Sequence, residues 1–138
     1  MLLYATDNRS PDHEVAAHWL SATLNGNRRV GLPWQSIAAF LRIATHPRVS
    51  KNPLTGQQAF AIVEQWLGLD IVWVPPAGKH TAREYGRLPS QVSITGNLVP
   101  DAQLAALAIE HGLTVYSADT DFARFPGVAW INPLRSDH

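Results

Sequence analysis

The apolar runs "DIVWVPP" (70–76), "LTVYSA" (113–118) and "GVAWI" (127–131) alternate with helical patterns, and this constrains the chain more than any other feature. A strand that is apolar on both faces needs cover on both, which a parallel sheet flanked by helices provides. "SPDHEVAAHWLSATL" reads as a helix with Ser10 as N-cap, Pro11 at its first position and a stripe of Val15, Ala16, Trp19, Leu20 and Leu24. "RRVGLPW" is a short strand and "QSIAAFLRIAT" an apolar helix closed by "HPR". "LTGQQAFAIVEQWLGL" is an amphipathic helix with Thr55 as N-cap and Gly68 at C′, and "DIVWVPP" is a buried strand stopped by two prolines. A weaker helix around "KHTAREYGRL" leads through the loop "PSQVSITGN" to "PDAQLAALAIEHG", whose apolar face is Leu104, Leu107 and Ala108. The strand "LTVYSA", a helical turn "TDFARF" and the strand "GVAWI" follow. The expectation is one α/β domain over 1–138, a three-layer α/β/α sandwich around a mainly parallel sheet.

Eleven basic and eleven acidic side chains cancel, so nucleic acid binding would need a local patch rather than a global field. The absence of cysteine excludes disulfides and thiolate metal sites and fits a reducing compartment. The opening "MLLYATDNRS" lacks the basic and apolar regions of a signal peptide, and no run reaches membrane-spanning length. A cytoplasmic protein without a membrane partner is expected.

In such sheets, polar chemistry gathers at the C-terminal ends of the strands. There "SADTDF" places Asp119 and Asp121 two residues apart, on one side of the chain if the strand pleat continues. Like charges that close oppose each other's ionisation, so a compensating partner is expected. Asp101 opens the helix that feeds this strand, so all three carboxylates could meet on one rim. Hard oxygen donors of this kind suit Mg²⁺ or Mn²⁺ and the metal-assisted hydrolysis of phosphodiesters. The same spacing also suits a plainer reading, in which Asp121 caps "FARF" and Asp101 interacts with its own helix dipole.

The stretch "NLVPDAQLAALAIEHGLTVYSADTDFARFPGVAWINPL" resembles the C-terminal half of a PIN-domain nuclease of the VapC toxin type. "LLYATDNRSPDHEVAAHWL", "GLPWQSIAAFLRIATHPRV" and "PLTGQQAFAIVEQWL" extend the resemblance to about residues 2–134. It implies a Mg²⁺-dependent endoribonuclease, the toxin of a type II toxin–antitoxin pair, acting on structured RNA such as tRNA or rRNA by in-line hydrolysis. It also implies a cognate antitoxin and a homodimer. By position, Asp101 matches the family's metal-ligating acid in the "DAxLAA" helix, and Asp119 and Asp121 match the acidic pair that binds metal and positions water. All three are therefore expected to be both catalytic and metal-binding. Two departures stand out. The family's first strand, "xxVDAN", bears a principal metal ligand that would fall three residues before Met1, so the first strand is expected to be missing here. A second family acid falls at Ala39. Asp7 and Glu14 do not match either position.

These departures leave a rival reading, a catalytically inactive PIN-like module that still binds an antitoxin or RNA. A third reading is a metal-dependent phosphoesterase for small molecules. Arg28, Arg29, Arg42, Arg48 and Lys51 form either a solvated face or a phosphate-binding patch. Trp19, Trp66 and Trp73 are expected in the core, with Trp34 undecided between packing and base stacking. The histidines lack metal-ligand spacing and read as surface residues. Ser117 reads as a backbone-bonded hydroxyl or as a group that orients a metal-bound water.

Overall fold

In the computed structural model, which describes residues 12–48, 52–88 and 92–135, short parallel strands alternate with helices as the apolar pattern requires. The chain falls into two units, divided between Val74 and Pro75.

The first unit holds α1 (His13–Leu24), β1 (Val30–Gly31), α2 (Trp34–Ala44), α3 (Gly56–Leu67) and β2 (Val72–Trp73). β1 pairs with β2 in parallel, Val30 opposite Val72 and Gly31 opposite Trp73. The flanking bonds Val30 N–H to Ile71 O (2.8 Å) and Leu32 N–H to Trp73 O (2.8 Å) bound this ladder. α3 starts as its sequence predicts. The Thr55 hydroxyl accepts from Gln58 N–H, and the Gln58 side chain accepts from Thr55 N–H, a complete capping box. Leu32, Ile37, Phe40, Ala44, Ala59, Val63 and Trp66 form the core, with Phe40 and Trp66 tilted at 60° and 5.1 Å between ring centres.

The second unit holds α4 (Lys79–Arg87), α5 (Leu98–His111), β3 (Val115–Tyr116), a 3₁₀ turn (Thr120–Arg124) and β4 (Trp130–Ile131). β3 and β4 are parallel, Val115 opposite Trp130. α5 closes at Gly112, whose φ of 66° is the left-handed conformation that glycine adopts without steric cost. Ala102, Ala105 and Ala106 are fully buried, and Leu88, Leu98, Phe122 and Phe125 complete their cluster. Side chains this small let the two phenylalanine rings pack close to the helix, and that packing sets the position of the 3₁₀ turn.

Several expectations need correction. Ser10 and Pro11 lie outside the described residues. Val15 is 50% exposed rather than packed. Gly68 ends α3 in a right-handed conformation (φ −76°) and does not use its glycine freedom. On α5, Leu107 and Ala108 are buried as expected, but the buried face extends to Leu98, Ala102, Ala105 and Ala106, and Leu104 is only partly covered. The run 70–76 is half-buried at Val72 and Trp73 and exposed at Val74. Pairing stops there, and Pro75 and Pro76 have no N–H with which to extend it.

Candidate metal centre

Residues 117–122 build the site by short-range bonding. β3 ends at Tyr116, and the indole N–H of Trp130, from β4, holds the Ser117 carbonyl at 2.9 Å. The Ser117 hydroxyl then accepts from Asp119 N–H at 3.0 Å. Asp119 Oδ1 in turn accepts from Asp121 N–H at 2.9 Å and so caps the 3₁₀ turn. The next side chain, Phe122, is 2% exposed and fixes the turn from below. The predicted proximity of Asp119 and Asp121 is therefore real, but it does not come from strand pleat. It comes from an aspartate cap, a role the sequence had offered to Asp121 and the structure gives to Asp119. Ser117 takes its expected backbone role.

Asp101 reaches the same place from the first turn of α5. It precedes buried Ala102, so the packing of α5 leaves it half-covered at the edge of the core. One carboxylate oxygen from each of Asp101, Asp119 and Asp121 lies within 4.8 Å of the others. Two oxygens that share one Mg²⁺ are at most about 4.2 Å apart, twice the ~2.1 Å bond, so modest side-chain rotation or an intervening water closes the difference. Among the described residues no other group of three or more His, Asp or Glu side chains converges in this way.

The electrostatics agree with the donor geometry. Burial pushes the Asp101 carboxyl from its ordinary 3.8 up to about 7, assisted by a hydrogen bond to Asp119 and by the negative charges of Asp119 and Asp121. The protein thus gathers more negative charge here than it neutralises. Arg124 Nε lies 3.4 Å from Asp121 Oδ1, an exposed pair one turn along the 3₁₀ segment and of modest strength. Sequence reasoning did not find Arg124, although its i, i+3 spacing from Asp121 was an available signal. The composition and clustering make this group a candidate for holding a divalent cation.

The remaining candidates lie elsewhere. Glu14 is exposed on α1 and Ala39 is exposed on α2, while Asp7 and Lys51 fall outside the described residues. Arg28, Arg29, Arg42 and Arg48 are exposed in the first unit. Trp66 is a core residue, but Trp19 and Trp73 are only half-buried, and Trp34 is 57% exposed. His111 is not the surface residue expected. Its Nε2 lies 2.9 Å from the Pro76 carbonyl oxygen, beside Glu110, which accepts from the Thr81 hydroxyl. That network ties the start of α4 to the end of α5.

A parallel α/β fold with clustered carboxylates just beyond a strand end defines a class, and comparison with known proteins places the chain in it. Residues 1–128 match the PIN domain family. Ribonuclease VapC33 of Mycobacterium tuberculosis H37Rv is 40% identical over 136 residues, covering 98% of this chain and 94% of the relative. Ribonuclease VapC37 of the same strain is 40% identical over 134 residues, covering 96% and 92%. The chain belongs to the PIN-domain family and, within it, to the VapC group. Solved structures agree in fold. The VapBC-1 structure from nontypeable Haemophilus influenzae matches with a TM-score of 0.66 at 19% identity, over 97% of this chain and 93% of that one. The VapBC2 structure from Rickettsia felis, bound to a promoter DNA fragment, matches with a TM-score of 0.63 at 19% identity, over 94% and 90%. The fold is the α/β PIN fold. Among the described residues, no helix is long and apolar enough to cross a membrane.

Proposed function

We propose that this chain is a divalent-metal-dependent endoribonuclease, the toxin of a type II toxin–antitoxin pair, with Asp101, Asp119 and Asp121 as its catalytic and metal-binding residues. The observation that carries the reading is the convergence of these three carboxylates, close enough that burial and its acidic neighbours hold Asp101 partly protonated near neutral pH. Asp101 and Asp119 would hold Mg²⁺ or Mn²⁺. The ion supplies a lowered pKa for a bound water and neutralisation of charge on the phosphate oxygens. Asp121, whose backbone N–H is held by Asp119, would support a second ion or orient the attacking water. Relatives that bear the name ribonuclease and neighbours solved as VapBC assemblies support an RNA substrate, with tRNA or rRNA the expected classes, and a cognate antitoxin. A single domain over 1–138, a homodimer and a cytoplasmic location complete the proposal. The exposed Arg28, Arg29, Arg42 and Arg48 would serve as contacts to the RNA backbone.

The test is cleavage of total tRNA and rRNA with Mg²⁺ or Mn²⁺. Activity is expected to be abolished by EDTA and by either Asp101→Asn or Asp119→Asn. Robust cleavage that survives both substitutions would remove these residues from the chemistry. Ala39, where the family carries an acid, favours a second reading, a silent module that binds antitoxin or RNA. Metal-independent RNA or antitoxin binding with no cleavage by the wild-type chain would establish that reading instead.

A further inference from the structure

We propose that Trp34 is a stacking platform for an unpaired RNA base, with Arg28 and Arg29 holding the adjoining phosphates. The inference rests on the RNA reading above and names a surface of the first unit that receives the strand. Trp34 opens α2 and continues the stripe of Ile37, Phe40 and Ala44 one turn beyond the core, so its ring emerges where its successors are buried. It is 57% exposed, while the two rings nearest to it in character within the core, Phe40 and Trp66, are 4% and 7% exposed.

The charge along this part of the sequence points to the occupant, although Asp70 adjoins Ile71, whose carbonyl accepts from Val30 N–H. Residues 15–63 contain Arg28, Arg29, Arg42, Arg48 and Lys51 and no aspartate or glutamate, in a chain whose net charge is zero. An exposed ring in an acid-free, basic stretch suits a polyanion that also offers flat apolar faces. A single-stranded nucleic acid combines these two properties. The backbone between the arginines and the ring is also held in place. β1 and buried Leu32 separate them, and both are pinned to β2 through Ile71 O and Trp73 O. The Arg29 guanidinium lies 4.6 Å from the centre of the Trp73 ring. A cation already held on an aromatic face loses less freedom when it meets a phosphate than a free side chain does.

The test uses the full chain in EDTA, so that binding is read without turnover, and a labelled single-stranded RNA with or without one abasic site. Trp34→Ala is expected to weaken binding at least about fivefold, the lower end for loss of one stacked base, and Trp34→Phe to retain most of the affinity. The salt slope is expected to be unchanged in Trp34→Ala but to fall by about 0.7 for each phosphate no longer neutralised in Arg28→Ala or Arg29→Ala. An abasic site within the footprint should bring wild type and Trp34→Ala closer together. If wild type binds RNA and Trp34→Ala binds it equally well, the stacking role is wrong and the RNA reading stands. If wild type binds no RNA, the RNA reading itself fails and takes the stacking role with it. If Trp34→Ala leaves RNA affinity intact but dissociates a dimer in sedimentation, this surface joins two copies of the chain, and the proposal is overturned.

Discussion

The two units reach their stability and their chemistry by opposite routes. The first packs large side chains on one another, Phe40 against Trp66, and its stretch 15–63 is basic without a single acid. The second packs phenylalanines on an alanine face and concentrates Asp101, Asp119 and Asp121 just outside it. A net charge of zero therefore describes neither unit. It conceals a cation-rich stretch and an anionic cluster, and the inference that no global field exists says nothing against strong local ones.

If core and site are separable in the first unit and joined in the second, truncating a core ring should have different consequences in each. Phe40→Ala and Phe122→Ala should each lower unfolding free energy by about 3–5 kcal/mol, measured by denaturant titration. Only Phe122→Ala should also weaken Mn²⁺ binding, because Phe122 anchors the turn that carries Asp121. Equal losses of metal affinity in both variants would break the contrast.

Metal itself gives the next largest effect. At a hundredfold excess over its Kd, Mn²⁺ or Mg²⁺ should raise stability by about 2.7 kcal/mol, read as an upward shift in Tm. Asp119→Asn should abolish the shift and Arg29→Ala should leave it intact. A shift that persists in Asp119→Asn would place the ion elsewhere.

A third effect is a pH dependence confined to the second unit. Asp101 has a folded pKa of about 7 against an ordinary 3.8, so between those values the folded chain keeps a proton that the unfolded chain has lost. The unfolded state then binds fewer protons, and stability in EDTA must fall as pH rises through that window. The contribution is complete below the lower value and gone above the upper one. Asp101→Asn should flatten this part of the pH profile, and metal affinity should rise over the same range as the proton is displaced. An unchanged profile in Asp101→Asn would show that burial and the neighbouring acids do not load this carboxyl.

Much of this was legible in the residues. Thr55 and Gln58 lie within one helical turn of each other, so their capping box depends on nothing outside that turn. "SADTDF" likewise carries its own bonding pattern, although strand pleat was the wrong mechanism for bringing its acids together. The strand limits were not legible. "DIVWVPP" has strand character throughout, yet its ladder covers only Val72 and Trp73, because β pairing depends on a partner remote in sequence. The exposure of Trp34 was equally hidden, since it lies on the same stripe as residues that are buried.

The identities of the three acids, the helix that carries one and the turn that carries two were set by local sequence, through caps and short-range hydrogen bonds. What only the tertiary structure decided is that they meet, and in what state of charge. The alanine face of α5 had to find Phe122 and Phe125 before Asp101 could stand beside Asp119. Burial and neighbouring charge, which no stretch of chain possesses alone, then raised its affinity for a proton.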